Sequence, residues 1–246
     1  MTIENLSANF QRVSDDQQFT FSCHPQIPCF TECCRELDLA LTPYDILRLK
    51  RHLNLSSGKF LEQYVIIEWE EGQLFPICYL TMIDDGRASC VFVRGTGCSV
   101  YADRPGSCRT YPLARGVSRN NGKTATESLA LIKEPHCRGF EETDNQTASR
   151  YLLDQGMELY NRFNDILLPL LQHPSIQQQG FRPSRHQLDQ YILALYDLDQ
   201  FRKEITEGRI TLHFPLTPQQ MKGLAGDDEE LLQLGLSWLM QEFFSE

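Results

Sequence analysis

Long apolar runs are missing from this chain. One of the longest, ILLPLL at 166–171, falls far short of the roughly 20 residues a membrane-spanning helix needs, so no membrane partner is expected. An excess of positive charge is missing as well: 23 Lys and Arg stand against 33 Asp and Glu, a net charge of −10. That balance repels phosphate unless a local patch opposes it, and no nucleic-acid partner is expected. The opening residues MTIENLSANFQRVSDD carry neither a basic segment nor an apolar one, so no secretory signal is expected and the expected location is cytoplasmic. There is no Walker-type phosphate loop, since Gly95-Thr96-Gly97 is too short to make one. No internal repeat is visible, and the QQQ at 177–179 is the one low-complexity tract that stands out. What the chain does have is 41% hydrophobic and 10% aromatic residues, which argues against disorder. Its 246 residues are enough to bury a substantial core in one or two domains.

Cysteine is the residue distributed least evenly. All nine lie between Cys23 and Cys137. Residues 1–140 carry 15 Lys and Arg against 16 Asp and Glu, whereas residues 141–246 carry 8 against 17 and no cysteine. The expectation is a near-neutral cysteine-cluster domain over 1–140 followed by an acidic helical extension over 141–246. The fold class expected is α+β, mostly helical, with a small antiparallel β element and cysteine-rich metal-binding loops.

Local signals place the elements. Thr42 is an N-cap candidate, Pro43 suits the first helical position and Asp45 favours the positive end of a helix. Ile46, Leu49 and Leu53 then recur at helical spacing. Ser56-Ser57 opens a second short helix carrying Phe60, Leu61 and Tyr64. Residues 65–69 and 74–82 are β-rich and flank Glu-Glu-Gly-Gln, which predicts a hairpin. From 90 to 112 the Gly and Pro density predicts ordered loop, and 124–132 predicts a strand. Periodic stretches at 147–172, 184–206 and 228–244 predict helices, with Asp227-Asp228-Glu229-Glu230 at the start of the last. That last helix carries too many apolar groups, from Leu231 to Phe244, to stand exposed. It is expected to pack back as core, and the alternative is that the acidic helices dock a protein partner.

The cysteine spacing is Cys23-x5-Cys29-x3-Cys33-Cys34, then Cys78, Cys90-x7-Cys98-x9-Cys108 and Cys137. Disulfides want an oxidising compartment and usually an even count, so metal ligation accounts better for this pattern. Zinc takes four thiolate or imidazole ligands, often from short knuckles; Cys29-x3-Cys33 makes one, and the later cysteines do not make a second. Iron–sulfur clusters take four thiolates from distant loops. Glu36 leaves the C-x3-C-x2-C pattern of radical SAM enzymes incomplete. Arg35, Arg104, Arg109 and Arg138 sit close to cysteines in sequence, and the first three are read as groups that donate to an anionic cluster and tune it. The bland alternative for each is a surface ion pair. His24 and His136 adjoin cysteines and are minor ligand candidates. Tyr101 and Tyr111 flank Arg104-Pro105 and either hydrogen-bond cluster sulfurs or pack against the loops.

Two strings carry a family resemblance. CHPQIPCFTECCRELDLALTPYDILRLKRHL at 23–53 and GCSVYADRPGSCRTYPLAR at 97–115 resemble the YkgJ-type cysteine-cluster family, zinc- or iron-chelating domains also found in flagellin lysine N-methylases. EPHCRGF at 134–140 matches how such domains close, and the likeness spans roughly residues 20–140. It implies Cys23, Cys29, Cys33, Cys34, Cys90, Cys98, Cys108 and Cys137 as metal ligands. Cys78 lies outside the family's motifs and is read as core. The resemblance also implies an iron–sulfur cluster, [4Fe-4S] in the first instance and zinc in the alternative. The functional expectation is therefore a metal-cluster protein with a redox or electron-transfer role. The alternatives are SAM-dependent protein lysine methyl transfer, as in the flagellin methylases, and a zinc-stabilised interaction module without catalysis.

Overall fold

The computed structural model describes residues 9–120, 124–178 and 180–244. Contacts divide the chain into two compact units, one built from residues 1–39 and 82–162, the other from 40–81 and 163–246. These units follow contacts, not composition, and so do not coincide with the change of charge at residue 140. The architecture is α+β, with many short helices and antiparallel sheets of two or three strands.

The first unit is organised by a three-stranded antiparallel sheet. Its central strand, Thr124–Ile132, pairs on one side with Leu113–Asn120 and on the other with Phe10–Val13. Alternation sends Leu129 and Leu131 to one face, where they meet Val13, Phe19, Phe21, Leu113, Ala148 and Tyr151 in a buried cluster. A smaller ladder, Gln18–Thr20 with Asn145–Thr147, closes the same core. Residues beyond 140 are therefore part of it. The 90–112 segment expected as loop contains a two-residue β pairing, Val93–Arg94 with Gly97–Cys98, and a short helix, Gly106–Thr110.

In the second unit the local signals appear where the sequence placed them. The helix Pro43–His52 begins with a reciprocal capping box between Thr42 and Asp45, which satisfies two otherwise orphaned N–H groups. The helix Ser57–Tyr64 is capped by Ser56, and the expected hairpin is Val65–Glu68 paired with Ile77–Leu80. The helix Asp228–Phe244 buries Leu231, Leu232, Leu234, Trp238, Leu239 and Phe243, so it is core on most of its circumference. At its start Asp227 accepts from the backbone N–H groups of Glu229 (3.0 Å) and Glu230 (3.3 Å).

The stretches expected to be helical at 147–172 and 184–206 are helical in pieces. The first resolves into Ala148–Asp154, Glu158–Asp165 and Leu168–Leu171. Gly156 at φ 65° ends the first piece, a left-handed exit that glycine makes without steric cost. The second becomes Arg185–Leu195 and Leu198–Thr206. Among the described residues no helix is long and apolar enough to cross a membrane.

Candidate metal centre

Among the described residues, which include all nine cysteines, none is joined in a disulfide. Four of them, Cys23, Cys29, Cys33 and Cys137, line one cavity of the first unit, together with Phe21, Ile27, Tyr111, His136 and Gly139. Three chain segments bring them there. Cys23 follows the strand Gln18–Thr20, and the preceding Phe21 and Ser22 are tied down by bonds from their N–H groups to Asp144 O and Gly139 O, both 3.0 Å. Cys29 and Cys33 lie on consecutive tight turns around buried Ile27. There Phe30 N–H donates to Ile27 O and Glu32 N–H to Cys29 O, both at 3.0 Å, and the short 3-10 helix Glu32–Cys34 follows. Cys137 sits on a turn closed by its own N–H to Glu134 O at 3.0 Å.

Gly139 explains how closely these segments approach. A Cβ there would lie 2.8 Å from Ser22 O and collide with the Phe21 ring. Only glycine lets the Cys137 loop rest against the Cys23 segment.

The cavity measures about 20 Å³, room for a single small ion or one water. Its donor set is soft and all sulfur, the chemistry of zinc or iron–sulfur sites. Among the described residues, however, no three His, Cys, Asp or Glu side chains stand close enough to share one metal ion. The thiols face a common space without converging on a single point. Packing around Cys23 pushes its thiol up to about 11, and the neighbouring Cys33, Cys29 and Cys137 add to that because charges of like sign would repel; the Arg104 guanidinium opposes them. Cys33 is raised chiefly by the neighbouring Cys34 thiol and then by burial. Cys137 is raised by burial, which outweighs the Tyr111 hydroxyl beside it. A cation entering here would displace protons and relieve the mutual repulsion.

Two further groups point at this sulfur-rich space. The backbone N–H of Arg138 donates to Cys29 Sγ at 3.1 Å, the kind of N–H···S contact that steadies a metal-bound thiolate. The Tyr111 hydroxyl is buried without a hydrogen-bond partner. It lies beside Cys137 and Glu134 but makes bonding geometry with neither. Burial first, and then those two neighbours, hold its phenol well above the usual range, so it stays a donor. An orphaned buried hydroxyl costs about 1–3 kcal/mol, and a metal-bound thiolate would relieve it. The residues present therefore fit a thiolate-ligated metal.

The remaining cysteines lie elsewhere. Cys34 is adjacent to Cys33, and its thiol helps hold the Cys33 thiol above the ordinary range. Cys90 and Cys98 are close enough that burial and then the charge of Cys98 raise Cys90. Cys108 is exposed on the helix Gly106–Thr110. Cys78 is fully buried in the second unit, pushed up to about 12 by burial alone.

The arginines serve the loops more than the sulfurs. Arg104 donates to Tyr101 O (2.8 Å) and Gln155 Oε1 (2.5 Å) and lies 3.8 Å from the centre of the Tyr101 ring. Arg109 donates to Arg104 O (3.1 Å), Gln155 O (2.9 Å) and Ala102 O. Arg35 donates to Thr31 O and Thr31 Oγ1. These bonds satisfy backbone carbonyls in loops that lack a ladder; the charge of Arg104 favours ionised Cys23 and Cys98, and that of Arg94 favours ionised Cys98 and Cys90. The Arg138 side chain pairs with Glu141 at 2.7 Å, leaving its amide as the sulfur donor. His24 pairs with Glu142 at 3.4 Å, and His136, on the cavity wall, with Glu134 at 3.6 Å.

Residues 22–144 match the CxxCxxCC family, whose description reads "Putative zinc- or iron-chelating domain". The chain belongs to that family. The match covers half of the chain and includes every cysteine of the cavity. Residues 145–246 lie outside it, including all of the second unit's later part, 163–246. No curated protein matches the chain, and no solved structure does. Membership of the CxxCxxCC family supports metal chelation by the cysteine-rich part of this chain.

Proposed function

We propose that this CxxCxxCC protein holds an iron–sulfur cluster, with Cys23, Cys29, Cys33 and Cys137 as its ligands and electron transfer as its use. One observation carries this reading: four thiols from three chain segments line one cavity, and four thiolates brought in from separate loops are the ligand set an iron–sulfur cluster takes. Cys34, Cys90, Cys98 and Cys108 are then candidates for a second site or spare thiols. Arg104 would contribute at longer range through its charge. The cluster's own chemistry is reversible one-electron transfer; the chain's part is to supply thiolates, hydrogen-bond donors and shelter from water. A cytoplasmic setting, which keeps thiols reduced, fits this use.

Protein purified without oxygen should contain iron and acid-labile sulfide in similar amounts and give a cluster EPR signal on reduction. Stoichiometric zinc without sulfide would overturn the cluster and favour a second reading, a single tetrathiolate zinc that stabilises the fold. The small cavity supports that alternative.

A further inference from the structure

Tyr111 is held firmly in place, yet its hydroxyl has nothing to bond. Its ring packs edge-on to Phe21, with centroids 6.2 Å apart at 72°, and against the same buried cluster as Cys137. Its carbonyl accepts the Tyr151 hydroxyl at 2.5 Å, and its N–H donates to Ser107 O at 3.2 Å. Ring and backbone are thus fixed from both sides, while the hydroxyl, shut off from water, remains unpartnered on the wall of the thiol cavity. A strong donor left idle beside sulfur is a cost in the metal-free protein. It becomes an asset once that sulfur carries negative charge, because hydrogen bonds to an ionised acceptor are about twice as strong as neutral ones.

Resting on the reading that these thiols hold metal, we propose that Tyr111 is a positioning residue that donates its hydroxyl to the Cys137 sulfur when that sulfur is metal-bound. The bond withdraws charge from the thiolate and fixes the Cys137 loop. It links the metal to the aromatic core through Phe21 and Tyr151.

Cobalt(II) titrated without oxygen into the metal-free full chain reads this directly. The wild type should develop thiolate-to-cobalt charge-transfer absorption. Tyr111→Phe should hold cobalt roughly 10-fold more weakly in chelator competition, the usual loss when a partner of a metal ligand is removed. Its band should shift to the red, because the Cys137 sulfur is left richer in electrons. The effect on melting should change sign with metal: metal-free Tyr111→Phe melts no lower than wild type, whereas the cobalt form melts lower. Should the Phe variant fail to fold, p-aminophenylalanine at the same position keeps an N–H donor and should give a shift between wild type and full loss. A band and affinity that neither variant moves would overturn the Tyr111 role alone. A wild-type chain that develops no band would overturn the metal reading and this role with it. Glu134→Gln should leave the band in place; if it moves the band as far as Tyr111→Phe does, the hydroxyl's partner is the carboxylate and the proposal falls.

Discussion

Lys50 is only 5% exposed, and a buried ammonium persists only if its charge is answered. Asp199 and Asp228 answer it at 3.0 and 2.9 Å, and Arg202 bridges the same two carboxylates at 3.0 and 2.5 Å. Burial alone would raise both acids. For Asp228 the hydrogen bonds from Lys50 and Arg202 outweigh it, and for Asp199 those from Ser57 and Lys50 do, so both end below the ordinary carboxylate range. A carboxylate lowered in the folded state stabilises the fold above its unfolded value of roughly 3.9 and loses that contribution as pH falls through the folded value. Urea midpoints followed by tryptophan fluorescence, which reports the second unit because Trp69 and Trp238 both lie there, should therefore drop steeply below about pH 4. Asp228→Asn should cost about 3 kcal/mol at neutral pH, as breaking a buried ion pair does, and flatten the acid limb. An acid limb unchanged from wild type would refute the assignment. None of this was legible beforehand, because Lys50 and Asp228 are far apart in sequence and only the fold makes them neighbours. The thiols of the cavity were all named from spacing and resemblance. The Tyr111 hydroxyl stood only as one alternative, and the Arg138 amide carries no side-chain signal at all.

At the scale of elements, whatever depends on a few adjacent residues was readable and whatever depends on a partner was not. The Thr42–Asp45 box is local: Thr42 Oγ1 accepts from Asp45 N–H at 3.2 Å and Asp45 Oδ2 from Thr42 N–H at 2.8 Å. Thr42→Ala should lower stability by about 1 kcal/mol, read as a shift in the urea midpoint; no shift would mean that packing alone sets the helix start. The strand Leu113–Asn120 (LARGVSRN) has little β-branched or aromatic content and was not expected. It exists because Thr124–Ile132 offers it a full antiparallel ladder, an instance of tertiary pairing overriding propensity. Gly156 and Pro169, by contrast, were local breakers inside the long periodic stretch at 147–172, and the apolar period masked them. Gly235, mid-helix in Asp228–Phe244, looks like a flaw in sequence. In the structure a Cβ there would meet the Ala194 carbonyl, whose carbon is 3.1 Å away, so the glycine marks where the helices Asp228–Phe244 and Arg185–Leu195 touch backbone to backbone.

For the molecule as a whole, composition and contact give different partitions. The charge changes at residue 140, but Ala148 and Tyr151 belong to the core of the first unit, and residues 40–81 group with the later helices. Periodicity cannot show which distant segments share a core, so this interleaving was not legible. If metal binding is part of folding, its free energy should be confined to the unit that holds the thiols. Chelation should lower hydrogen-exchange protection in the sheet Phe10–Val13, Leu113–Asn120 and Thr124–Ile132 while leaving the helix Asp228–Phe244 protected. Equal protection in metal-loaded and metal-free protein would refute that.

The interleaving also sets an order of events during synthesis. The cysteine unit is complete once residue 162 has been made, whereas the helices of residues 40–81 must wait for Asp228 and the residues after it. At roughly 5–20 residues per second that wait lasts several seconds after the first unit is finished. A nascent chain still on the ribosome can therefore take up its metal while Leu47, Leu49 and Phe60, fully buried in the finished protein, have no core to enter. The stretch most in need of a chaperone's protection is thus not the cysteine cluster but the unremarkable helical insertion within it.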